Sequence, residues 1–206
     1  MRKVDPVKHQ ERRQQIVGAA VSLFADKGFD RTTTAEICKA AGISTGNLFH
    51  YFPSKRAIFH AVFQEDGDDK ADALARARTA DDPWQALLEV VELLATPATE
   101  PLTPPLVMEA MVQAYRDPEL DELLSRDNAD EHAAVAHLLR RTADAGQTDP
   151  GLDPDDAATW VLALVATLYT SAATDPSFQP AGQLPMLRLI LERYLRPGRN
   201  GQATTG

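Results

Sequence analysis

The sequence predicts an all-α chain of about nine helices. Two observations carry this. Apolar residues recur three and four apart from Ile16 to Leu195, and no run alternates with period two for long enough to form a strand. The punctuation between the apolar stripes is that of helix ends. Asp-Pro pairs stand at 82–83, 117–118 and 153–154, Ser or Thr precedes the short helices, and glycines at 28, 42 and 146 close others.

In order along the chain, Ile16, Ala20, Val21 and Phe24 form the first stripe, closed by Gly28 as a left-handed cap. Thr33 with Glu36 three residues on reads as a capping box opening a short helix through Ile37 and Ala40 to Gly42. Ser44 caps the next helix, to about Tyr51, and Ser54 after Pro53 opens an amphipathic one through Ile58, Phe59, Val62 and Phe63. Asp82-Pro83 opens a helix with Leu87, Leu88, Val91 and Leu94. The four prolines between Thr96 and Pro105 predict a loop, and 106–116 is helical again. A long helix follows Asp117-Pro118 and ends near Gly146. Asp153-Pro154 opens an apolar helix, and Leu184 to Leu195 makes the last stripe. The polar segment 199–206 is expected to be disordered.

At 206 residues and 44% hydrophobic composition, the chain has enough apolar side chains for a sizeable core. The one cysteine, Cys38, can form no internal disulfide, which suits a reducing cytoplasm, and it reads as a small buried apolar residue. Residues 1–13 are polar and basic, without the apolar core of a secretory signal. The nearly charge-free stretch 157–174 is shorter than the roughly 20 apolar residues of a spanning helix, so partner helices rather than lipid are expected around it. The net charge of -9 is unevenly spread. The first sixty residues carry ten Lys and Arg against five Asp and Glu, a net of +5, which leaves -14 for the rest. A basic head on an acidic body points to a polyanion partner for the head, although a solvated charged surface has the same signature.

The informative stretch is 32–56, TTTAEICKAAGISTGNLFHYFPSKR. It spells helix, glycine turn, helix, and a third capped helix. Ile37, Ala41, Ile43, Leu48 and Phe52 can pack inside. Thr45, Gly46, Asn47, Phe49, His50 and Tyr51 are left to face wholly or partly outward. A short exposed helix of small polar and aromatic residues in a basic segment suits a DNA major groove. Lys55 and Arg56 lie in the first turn of the next helix, where the dipole disfavours cations. A phosphate there would interact with Lys55 and the free N–H groups together, and a tolerated surface lysine is the alternative.

The run AAGISTGNLFHYFPSK resembles the recognition-helix signature of the TetR family, and FADKGFDRTTTAEI resembles that family's turn between its first two helices. The resemblance covers 14–63. It implies a three-helix helix-turn-helix DNA-binding domain over 1–60 and a helical ligand-binding and dimerisation domain over 61–198. It also implies a role for each matching position. Thr33 and Thr34 would meet the DNA backbone, Thr45, Gly46 and Asn47 base edges or sugar-phosphate, and Phe49, His50 and Tyr51 the groove. Lys55 would hold a phosphate. Asn47 suits readout of adenine, or else is a local cap or surface amide. His50 contacts phosphate or simply packs. Phe49 departs from the family's usual tyrosine, so a hydroxyl contact with phosphate is absent and contact with a thymine methyl or with the core takes its place. Ala35 is too small to read a base.

The resemblance also implies that the last two helices pair with their copies in a homodimer. Trp160, Leu164, Leu168, Leu187, Ile190, Leu191 and Tyr194 are the interface residues expected. Burial of both helices within the monomer is the alternative. The implied partners are palindromic double-stranded operator DNA and an unidentified small-molecule inducer, with no membrane and no cofactor. The inducer would favour a state whose recognition helices are wrongly spaced for half-sites about 34–36 Å apart. Trp84, Met108, Met111, Tyr115, His132 and Trp160 are the side chains expected to line its pocket. No catalytic residue and no metal site is expected. His132 and His137 fall on different helix faces, there is no cysteine pair, and Asp66, Asp68 and Asp69 lack the rest of a calcium loop. An activator, a helical enzyme or carrier, and a protein-interaction module are the competing readings. The last leaves the basic head unexplained.

Overall fold

The computed structural model describes residues 6–65 and 67–196. Ten α-helices make up the described chain: α1 (Pro6–Arg31), α2 (Thr34–Ala40), α3 (Thr45–Tyr51), α4 (Lys55–Glu65), α5 (Gly67–Arg78), α6 (Pro83–Ala95), α7 (Thr103–Ala114), α8 (Pro118–Asp144), α9 (Pro154–Thr174) and α10 (Pro180–Leu195). There is no strand among the described residues. The predicted caps form. Thr33 and Glu36 make the capping box, Ser44 accepts from the Asn47 N–H, and Asp82 and Asp153 each cap a helix with proline in its first turn. Gly28 sits at φ 78, and helical geometry is broken there.

The expectation of about nine helices is met to within one. Two expectations are corrected. The proline-rich stretch is largely ordered: Thr96–Thr99 forms a 3-10 turn, and Pro104 and Pro105 lie in the first turn of α7, where their missing N–H groups cost little. The apolar helix α9 runs 21 residues from Pro154, and by length and composition it reaches what a membrane crossing needs. Its inner face, Ala157, Ala158, Val161, Val165 and Leu168, is nevertheless buried among this chain's own helices. The tail expected to be disordered, 199–206, lies outside the described residues.

The chain packs as two units, residues 1–68 with 105–124 and residues 69–104 with 125–206. The boundary expected at residue 60 therefore comes later, and α7 with the first turns of α8 joins the first unit. That unit's core gathers Ile16, Ala20 and Phe24 of α1, Ile37 and Cys38 of α2, Leu48 of α3, Phe52, and Ile58 and Phe59 of α4. Leu106, Ala110 and Leu120 add to it from α7 and α8. In the second unit α6, buried on most of its circumference, packs with α9, α10 and the 3-10 turn. Leu74 of α5 and the 134–139 stretch of α8 complete that core. Tyr169 donates to the Leu94 carbonyl at 2.6 Å there, and burial, with Glu131 adding to it, pushes its phenol up to about 12.

Candidate nucleic-acid interface

The helix-turn-helix is held from within. Ile37 and Leu48 are fully buried and Ala41 and Phe52 nearly so, which fixes α2 against α3. Gly42, at φ 64, makes the turn that a side chain would strain. With Leu48 and Phe52 turned inward, Thr45, Gly46, Asn47, Phe49 and His50 are exposed on one short helix. A Cβ on Gly46 would meet nothing within 4 Å, so the fold itself does not require glycine at that position. Tyr51 is half-buried. Its ring lies 4.7 Å from His9 of α1 and 5.3 Å from His50, and its carbonyl accepts from Arg13 at 3.4 Å. His9 and Arg13 thus join this face, and the sequence reading missed both because α1 carries them some forty residues earlier. Thr33 is exposed and Thr34 half-buried at the start of α2, and Ala35 is exposed. Lys27 pairs with Glu36 at 2.6 Å. That ammonium first, then the Thr33 N–H and hydroxyl, hold the Glu36 carboxyl down to about 2.

Lys55 does not stand free for a phosphate. Its Nζ donates to the Phe29 carbonyl at 2.6 Å and the Thr32 carbonyl at 2.8 Å, and it lies 4.2 Å above the Phe29 ring. The physical reason is that the carbonyls at the end of α1 and just beyond it lack α-helical partners, and a cation there gains from the helix C-terminus what it loses at the start of α4. Arg56, the second cation in that turn, bridges Asp117 at 2.6 Å and Glu119 at 3.0 Å. His60 meets the other Asp117 oxygen at 2.7 Å. Burial works against the Asp117 charge, but His60, the Leu120 N–H and Arg56 outweigh it and hold the carboxyl below its ordinary value. His60, Asp117 and Glu119 bring three metal-ligating atoms within 4.8 Å of one another, a grouping invisible in sequence because 57 residues separate His60 from Asp117. Both carboxylates are already engaged by Arg56.

Residues 16–62 match the family of bacterial regulatory proteins of the tetR type, and residues 84–196 match the C-terminal domain of BetI-type transcriptional repressors. The chain belongs to the TetR family of transcriptional regulators. Similar relatives include the HTH-type transcriptional regulator UidR of Escherichia coli K12, 29% identical over 70% of this chain and 72% of its own length. The HTH-type transcriptional repressor Rv1474c of Mycobacterium tuberculosis is 29% identical over 75% and 78%. Among solved structures, Salmonella enterica GusR aligns with a TM-score of 0.68 at 26% identity over 90% of this chain and 95% of that one. A Saccharomonospora viridis transcriptional regulator crystallised with choline aligns at 0.80 and 20% identity over 92% and 100%. The last shows the shared fold alone.

TetR regulators commonly pair two copies and respond to a small molecule, and the residues expected for both roles divide in this chain. Of the pocket set, Met108, Met111 and Tyr115 belong to the first unit and Trp84, His132 and Trp160 to the second. Tyr115 is 93% exposed, Trp160 63% and Met111 53%, so these three are not walls of an enclosed cavity in this chain. Trp84 is buried under the Arg196 guanidinium, 4.2 Å from its ring, and His132 meets the Thr159 hydroxyl at 3.2 Å. Helical spacing marked these positions as apolar or aromatic but did not say which face of each helix turns inward. Of the interface set, Leu168, Leu187 and Leu191 are buried in the chain's own core, a correction to their assignment, and Leu164 is half-buried against it. Trp160, Ile190 and Tyr194 are exposed, together with Met186 and Leu189, which the sequence reading missed.

Proposed function

We propose that the chain works as a homodimeric repressor on palindromic operator DNA. In this reading α3 enters the major groove, and a small-molecule inducer releases the complex. The observation that carries it is the split face of α3. Leu48 is spent on the core, while Thr45, Gly46, Asn47, Phe49 and His50 stand outside it on the basic head of an acidic protein. Gly46, which the fold does not require, leaves room for close approach of a phosphate backbone. Asn47 is the side chain suited to read adenine, since its amide can donate and accept at one base edge. His50 and Tyr51, backed by His9, line the groove, and Thr33 and Thr34 reach the DNA backbone at the start of α2. The exposed Trp160, Met186, Leu189, Ile190 and Tyr194 form the face that a second copy covers. Such a regulator acts where the chromosome is, in the cytoplasm. Met108 in the first unit, and Trp84 and His132 in the second, remain the candidates to meet the inducer.

Fluorescence anisotropy with DNA from upstream of its own gene, beside a shuffled duplex, tests the reading. Tight binding to the first that weakens steeply with salt is expected. Equal affinity for both duplexes, together with failure to enrich any duplex from a genomic library, would reject it.

A further inference from the structure

The peptide at Phe29 is held at both ends by charged side chains from distant helices. Immediately after the break at Gly28, the Phe29 N–H donates to Glu109 Oε1 of α7 at 2.8 Å. The Phe29 carbonyl accepts from Lys55 of α4. Gln113, one turn along α7, donates to the same Glu109 oxygen at 2.9 Å and steadies it. A Cβ at position 28 would lie 3.0 Å from the other carboxylate oxygen, so glycine serves the close approach as well as the positive φ. All of these residues belong to the first unit. The clamped segment leads straight into α2. Thr32 is buried, with its hydroxyl donating to the Gly28 carbonyl at 2.8 Å and the Leu23 carbonyl at 3.1 Å, and Thr33 caps α2. A displacement at Phe29 therefore reaches the cap of α2 within four residues, and α3 through the core they share.

We propose that Glu109 is a positioning residue for DNA recognition. Its carboxylate sets the path of the chain into α2, and a movement of α7 that withdraws it from Phe29 misplaces the recognition helix. Glu109 touches no DNA in this account. It acts through the Phe29 amide, which makes α7 a handle on the helix-turn-helix. The inference rests on the operator-binding reading above.

Full-length Glu109→Ala and Glu109→Gln variants test it on a duplex selected from a random pool by the wild-type protein, with a shuffled duplex as control. Amide exchange at Phe29 and the thermal midpoint are followed in parallel. Glu109→Ala is expected to weaken operator binding about tenfold. Its binding to the shuffled duplex should stay within about twofold, as for a site independent of phosphate contact. Exchange at Phe29 should quicken. Glu109→Gln still presents an oxygen to the Phe29 N–H and should remain within about threefold of wild type. Unchanged operator affinity in Glu109→Ala overturns the proposal. So does an equal loss in both variants, or an equal loss on both duplexes that tracks a lowered midpoint. A wild type that selects no duplex overturns the operator reading and this role with it, while Phe29 exchange still shows whether the carboxylate holds the amide.

Discussion

The two ends of the chain spend their apolar residues differently. In the helix-turn-helix the large apolar side chains are nearly all inside, and what remains exposed on α3 is small or polar, with Phe49 the exception. On α9 and α10 the core is equally well filled by Val161, Val165, Leu168, Leu187, Leu191 and Leu195, yet Trp160, Met186, Leu189, Ile190 and Tyr194 stay outside. The first surface is comfortable in water and suits a hydrated polyanion. The second leaves a tryptophan 63% exposed, which gains most from covering by protein. Composition marks a surface only after the core has taken its share.

The sharpest way to break this contrast is to charge the apolar face. Trp160→Glu combined with Ile190→Glu should leave the monomer core intact, because both side chains are exposed, and should shift sedimentation from dimer to monomer. Operator affinity should fall by at least about a hundredfold, since two linked half-site contacts become independent. A dimer that survives would move the interface elsewhere. Next in size is Lys55→Ala. Losing the ammonium from the Phe29 and Thr32 carbonyls should cost about 2 kcal/mol of stability in chemical denaturation. The slope of log affinity against log salt should not change, whereas a phosphate contact would lower it by about one. Asn47→Ala should leave the fold untouched and narrow the gap between operator and shuffled duplex by roughly tenfold at one base position, measured on a panel of single-base operator variants.

The smallest effect sharpens the helix-turn-helix side. Thr33→Ala removes half of the capping box and should cost about 1 kcal/mol. Glu36 gives that box a pH dependence. Its folded value, about 2, lies below its ordinary 4.5, so its stabilisation is present above about 4.5 and is lost as pH falls toward 2. Glu36→Gln should flatten the stability profile in that window, read by thermal melts at fixed ionic strength.

How much of this was legible beforehand follows from the range of the interactions involved. The caps at Thr33, Ser44, Asp82 and Asp153 act within three residues, and all four appear where the sequence places them. The recognition helix was legible for the same reason, since Gly42 and the spacing of Ile37, Leu48 and Phe52 decide its inner face locally. Lys55 was legible as an anomaly but not in its role, because its partners at Phe29 and Thr32 lie more than twenty residues away. Glu109 gave no signal at all. On α9 and α10 the apolar residues cover so much of each helix that spacing alone could not divide Leu168, Leu187 and Leu191, which face the core, from Trp160, Ile190 and Tyr194, which do not.

The central claim is that two copies of α3, held by one dimer, read two half-sites on one face of DNA. The most direct measurement compares the selected operator with the same sequence carrying five extra base pairs between its half-sites. The account predicts tight binding of one dimer to the first and a loss of at least about a hundredfold on the second, because half a helical turn puts the second half-site on the opposite face. Equal affinity for both duplexes would contradict it.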